Sequence, residues 1–408
     1  MTSIKRGDPI FLRLNFFFFL IGITLVLSGC RSEPSSAPSP EKLTEAAHIP
    51  PHALTAFVSF LENEIDLQID QHGVPGLAIT LVHDGQITWT RGFGTADRER
   101  GTPVRADTRF QVASISKSLT ALGVLKQVDA GSIELDAPIE RYLSRWSVPE
   151  SEFDSTGITV RRLLKHEAGL SVSGYLGFHP DADLPSLEQS LQGALGSHSL
   201  LTWFYNLLYP SRHSVHLIAK PGDEPIYSGG GYTVLQLMLE EVTGQEFTSY
   251  MQDEILEPLG MHSSSYFASE QILSKVATAY TGFWSISASP NYLYTAKAAA
   301  GLYATSDDLA RFTLPFLDNH ENPVLSKSLA ALMLEDELGT RRSKLTNGAL
   351  VFSHTGMNMG DWNAVYRFVP HHRAALVVLT NGKNGQHVYR YLSELWLAWL
   401  SSTKSKTG

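Results

Sequence analysis

Strand-forming runs lie near the two ends of this chain and helical periodicity fills the middle, an order that calls for one sheet assembled from both ends of a domain. GLAITLVH and QITWTRGFG are joined by Asp84-Gly85, and that dipeptide between alternating apolar residues is a strong hairpin signal. AVYRFV and AALVVLTNG flank Pro370-His371-His372-Arg373 and read as a second strand pair, followed by a helix through Tyr391, Leu392 and Trp396. Ahead of the first hairpin, Leu54, Phe57, Val58, Leu61 and Ile65 form a helical stripe that stops before Gly73 and Pro75. From about Ser114 to Ala300 the apolar residues recur mostly at helical steps, with breaks at Gly131, Gly169, Pro221-Gly222 and Pro258-Leu259-Gly260. The expected class is α+β: an antiparallel sheet from residues 52–113 and 300–404, flanked by helices, with a mostly helical subdomain at 114–299 inserted and a cleft between them. Residues 171–215 have no clear period and are expected to form a long excursion near the cleft mouth.

The start of the chain follows another pattern. Lys5, Arg6 and Arg13 precede an apolar run from Phe16 to Leu27, and Ser28, Gly29 and Cys30 follow. The run is too short to span a bilayer; basic, apolar and small residues in that order form a secretory signal, expected over residues 1–29. Leu27-Ser28-Gly29-Cys30 resembles the lipobox of bacterial lipoproteins. Cys30 is the only cysteine, so no internal disulfide can form, and the resemblance makes its thiol a lipid attachment point that anchors the chain to a membrane. Arg31 stands where lipoproteins retained in the inner membrane usually carry Asp, which implies the outer membrane, facing the periplasm. Residues 30–51 then read as the lipidated Cys30 and a semi-extended Pro- and Ser-rich linker, with the domain over 52–404. The formal charge is −9, and loss of residues 1–29 makes it more negative, so nucleic acid is not an expected partner.

The middle of the chain carries Ser114-Ile115-Ser116-Lys117, followed by Leu119, Leu122, Leu125 and Val128 at helical steps and by Gly131 as a stop. A serine and a lysine three residues apart share one helix face. A serine hydroxyl is a weak nucleophile until a neighbour takes its proton, which a lysine one turn away does if its amine is neutral. A helix start also offers unpaired N–H groups to an oxyanion. Spacing alone does not select this pair, because Ser401 and Lys404 have the same separation, and Ser114 also fits a plain N-cap.

Two further strings decide: PGDEPIYSGGGYTVLQLMLEEVTG, with Tyr227, and VFSHTGMNMGDW, with His354-Thr355-Gly356. In this order the three motifs resemble the serine beta-lactamase and penicillin-binding protein family, in its class C-like branch of beta-lactamases, D-amino-acid peptidases and esterases. VPGLAITLVHDG, LLKHEAGL, ILEPLGMHSS and AAAGLYATSDDLARF are similar to the family's framework segments, so the resemblance spans about residues 51–400. It implies a beta-lactamase/transpeptidase-like fold. It also implies Ser114 as acylated nucleophile, Lys117 as its proton acceptor, and Tyr227 as the group that moves protons to the leaving group and from the deacylating water. Thr355 would orient the substrate, and the N–H groups of Ser114 and of Met357, just beyond Gly356, would form the oxyanion hole. Lys and Tyr ordinarily titrate near 10, so each must be pushed down to act as a base at neutral pH; side by side they share that role.

Two positions depart from the family pattern. Gly229 stands where an Asn is usual, which removes an amide that would hold a substrate; Gly229, Gly230 and Gly231 either let backbone approach the substrate or form a helix-entry turn. His354 stands where beta-lactamases usually keep a permanently charged lysine for the substrate carboxylate. A histidine is mostly neutral at pH 7, and His-x-Gly is more similar to the esterases and aminopeptidases. If His354 holds an anion, KM should rise above about pH 6.5. His166-Glu167 lacks the second histidine of a zinc helix, so neither a metal nor a cofactor is expected. His371, His372, His213 and His216 read as solvated polar residues. The expectation is an envelope serine hydrolase acting on a small ester, amide or peptide. A D-alanyl-D-alanine carboxypeptidase or weak beta-lactamase, and a catalytically idle binding lipoprotein, are the alternatives; the natural substrate and the oligomeric state are not legible.

Overall fold

The computed structural model describes residues 37–194, 214–282 and 285–401; residues 1–29, Cys30 and His213 lie outside them. Seven strands make one antiparallel sheet. β1 (Gly76–His83), β2 (Gln86–Asp97) and β3 (Thr102–Pro103) come early in the chain. β4 (Arg341–Lys344), β5 (Leu350–Asn358), β6 (Trp362–Val369) and β7 (Ala374–Thr380) come late. Their order is β3-β2-β1-β7-β6-β5-β4, so the early and late strands meet where β1 pairs with β7, Ile79 opposite Val378. At the first hairpin Asp84 and Gly85 have φ of 52° and 77°, the two consecutive left-handed residues that match the twist of the strands they join.

Side-chain alternation splits the core in two. Leu77, Ile79 and Leu81 of β1 and Leu376 and Val378 of β7 face a layer made by α2 (Leu54–His72) and the C-terminal helix α5 (Gly385–Ser401). There Trp399 stacks on Phe57 with ring centroids 4.1 Å apart. Ala78, Val82, Ala375, Val377 and Leu379 face the opposite way, into the helical part. Its centre is α3 (Ser116–Asp129), buried at every position from Ser116 to Leu125, beside α4 (Gly229–Thr243). Each large apolar side chain taken out of water here is worth about 1.5–3 kcal/mol, so both layers hold the sheet.

One boundary differs from expectation. Residues 40–48, read as part of an extended linker, form helix α1 (Pro40–His48). Pro40 sits in its first turn, where a missing N–H costs nothing, and Ser39 caps it by accepting from Lys42 N–H. Ala46 is fully buried, and Lys42 Nζ lies 2.8 Å from the almost buried carboxylate of Glu64. Tyr391 of α5 donates to that carboxylate at 2.6 Å, so α1 is tied to α2 and α5. Of the excursion at 171–215, the described portion includes a short helix, Leu187–Leu191, started by a Ser186–Gln189 capping box.

Candidate active site

Ser114 is the middle residue of a single 3-10 turn, Ala113–Ile115, that runs directly into α3. Ala113 has φ of +51°, a left-handed conformation that costs an L residue about 1–2 kcal/mol. The turn is held in place around it: Ser116 Oγ donates to Ala113 O at 2.6 Å and accepts from Leu302 N–H at 3.0 Å.

The Ser114 hydroxyl meets two bases. Lys117 Nζ lies 3.1 Å from Ser114 Oγ and Tyr227 Oη lies 2.8 Å from it. Lys117 donates its other bond to Ala299 O at 2.7 Å, and the ammonium sits 5.1 Å from the centre of the Tyr227 ring. Burial pushes the lysine's pKa below its usual value, with Tyr227 partly opposing the shift. No described carboxylate pairs with Lys117, whose hydrogen-bond partners are Ser114 Oγ and Ala299 O. This is the arrangement in which an amine and a phenol relieve one hydroxyl of its proton.

The strand carrying the third motif passes close by. β4 pairs with β5 only as far as Ser353, so beyond that residue one edge of β5 is left open beside the Ser114 turn. Gly356 allows the contact: a Cβ there would sit 2.1 Å from Val112 O and 3.1 Å from Ser114 N. Thr355, one residue earlier, pairs with Val365, belongs to the other face of the strand and is exposed. The Met357 side chain is 66 % exposed. His354 is buried, with Nδ1–H donating to Thr355 O at 2.7 Å. Burial, the Lys117 charge and Arg341 together bring its pKa down to about 3, so the ordinary histidine titration expected from the sequence does not occur.

Gly229, Gly230 and Gly231 form the entry of α4 behind the Ser228 cap. Gly229 and Gly230 are packed against the 171–175 segment and Gly231 against Leu163, so none is open to a ligand: a Cβ on Gly229 would lie 3.2 Å from Ser173 O, one on Gly230 2.8 Å from Ser171 O, and one on Gly231 3.3 Å from Leu163 Cδ2. Gly230 N–H also donates to Val172 O. The helix-entry reading therefore accounts for all three.

Three residues that the motifs did not single out complete the surroundings. Asn358 Nδ2 donates to Gln111 Oε1 and to Ala300 O, tying the end of β5 to the segment before Ser114 and to the one that holds Lys117. Arg341 borders a cavity of about 300 Å3 together with His166 and His354, and among the described residues it has no ion-pair partner. His166 lies against Tyr227, ring centroids 4.3 Å apart. His216, by contrast, bonds the backbone of Ser214 at 2.8 Å, and His371 faces Asp318 at the far hairpin turn.

Known proteins are similar to this chain in sequence and in fold. The chain is 26% identical over 344 residues to penicillin-binding protein 4 of Amycolatopsis lactamdurans, covering 79% of this chain and 84% of that protein. It is 29% identical over 240 residues to esterase EstB of Burkholderia gladioli, covering 55% and 56% of the two chains. In fold it is similar to the octameric penicillin-binding protein homologue from Pyrococcus abyssi, with TM-score 0.69, 24% identity and coverage of 86% and 78%. The beta-lactamase/D-alanine carboxypeptidase from Pseudomonas syringae superposes with TM-score 0.65 at 17% identity, covering 86% of this chain and 99% of that one. The family model for Beta-lactamase matches residues 61–397, a span that contains Ser114, Lys117, Tyr227 and His354, and the chain belongs to that family.

Proposed function

We propose that this protein is a serine hydrolase that forms an acyl-enzyme on Ser114 and cleaves an ester or small amide in the bacterial cell envelope. The observation that carries this reading is Ser114 Oγ within hydrogen-bonding distance of both Lys117 Nζ and Tyr227 Oη. The Lys117–Tyr227 pair takes the serine proton as Oγ attacks the carbonyl carbon. Tyr227 passes that proton to the departing alcohol or amine, and the same pair then takes a proton from the water that releases the acid. The close approach of β5 at Gly356 supports the N–H groups of Ser114 and Met357 as oxyanion donors. Cys30 is the proposed lipid attachment, which puts the enzyme at the outer membrane facing the periplasm, with no cofactor needed.

A small ester is favoured over a carboxylate-bearing substrate because His354 is neutral and brings no charge to the site. The second reading, a D-alanyl carboxypeptidase or weak beta-lactamase, is favoured by one observation, the similarity over 79% of this chain to penicillin-binding protein 4. The test is intact-mass spectrometry of the full-length protein during reaction with p-nitrophenyl butyrate, beside Ser114→Ala. A nitrophenol burst with a butyryl adduct on the wild type only is expected. Burst and adduct in both proteins would refute Ser114 as nucleophile. A penicillin adduct without a butyryl one would select the second reading, and absence of both adducts would leave an idle binder. The same spectra of protein from cells should show acyl chains on Cys30.

A further inference from the structure

We propose that His166 is a positioning residue for Tyr227, clamping the tyrosine's backbone on both sides and its ring on one face so that the phenol stays on Ser114. This rests on the reading of Tyr227 given above. The residue before the tyrosine, Ile226, donates its N–H to the His166 carbonyl at 2.8 Å. The residue after it, Ser228, donates its N–H to His166 Nδ1 at 3.1 Å. Between those two bonds the imidazole lies against the Tyr227 ring at 4.3 Å, tilted by 40°, and it also contacts Tyr232 at 5.3 Å. One residue thus fixes three consecutive ones.

The demands on this position explain why a histidine occupies it. His166 has φ of +62°, a left-handed backbone held by its own N–H bond to Leu163 O. The side chain must present a flat face to a phenol and an acceptor to an amide at once. Because Nδ1 accepts, the ring proton is on Nε2 and the ring is neutral; an imidazolium would lose the Ser228 bond. Burial and the Lys117 charge keep it so, pulling the pKa down to about 2. Catalytic geometry is sensitive to this kind of support, since a misplacement of about 1 Å can cost a hundredfold in rate.

The test is a mutant cycle in the full-length protein, with kcat and KM for p-nitrophenyl butyrate and a melting curve for each variant. His166→Phe keeps the flat face and removes the acceptor; kcat should fall roughly ten- to a hundredfold with KM changed less than about twofold. His166→Asn restores an acceptor and tolerates the left-handed backbone without the ring face, and should recover part of the lost kcat. With Tyr227→Phe in place, His166→Phe should change nothing further. His166→Gly, which keeps the backbone conformation, replaces His166→Phe if that variant does not fold. Equal losses in both backgrounds, or an Asn variant as impaired as the Phe one, would overturn the positioning role alone. Full kcat in Tyr227→Phe would instead overturn the reading of the tyrosine, and this proposal with it.

Discussion

At neutral pH the His354 imidazole carries no charge, because its buried place beside Lys117 brings its pKa to about 3. The sign follows: a histidine whose pKa is depressed takes up its proton only as the pH falls towards that value, so between pH 5 and 8 its charge does not change. KM for an ester substrate should therefore be flat over that range; a rise above about pH 6.5 would mean a charged, exposed ring. Ser114 and Lys117 stood out in the sequence by their spacing at a helix start, and Tyr227 by the resemblance of its motif to the family's. His166 was visible only as an incomplete zinc motif, since its amide partner Ser228 lies 62 residues away. Asn358 gave no signal for the same reason: Gln111 is 247 residues distant.

Among the elements, the two hairpins and the helices beginning at Leu54 and Ser116 followed from periodicity and turn residues. Helix α1 did not. Its composition is that of a linker, and nine residues are too few to be stable alone; what makes it a helix is burial of Ala46 and the Lys42–Glu64 contact. Removing it by starting the chain at residue 52 should lower the melting temperature relative to a chain starting at 37, by about 1–2 °C per kcal/mol lost for a domain of this size. Equal melting curves would return this segment to a linker. The entry of α4 carries the other lesson at this scale. Three consecutive glycines fitted either backbone freedom near a substrate or a helix entry, and the atoms that need the missing Cβ belong to the 171–175 segment, Val215 and Leu163, which selects the helix entry.

In the molecule as a whole, β1 and β7 meet at the middle of the sheet. Hairpin signals name neighbours in sequence, so both pairs were legible, but only packing of the two cores decides that the early and late strands join there. A pairing across so much of the chain is of the kind that carries a large loop-closure cost in folding. The helical part lies on one face of this sheet, with Lys117 sealed in it at 2 % exposure and, among the described residues, without a carboxylate partner. A buried amine is expensive to keep, so Lys117→Met should abolish hydrolysis and raise the melting temperature; a lower melting temperature would show that the amine supports the fold. The lysine is then a handicap that stability alone would have discarded. A pocket under selection only to hold a ligand has no use for it, which gives a way to tell a working descendant of this family from a retired one: test whether its most buried charge makes it weaker.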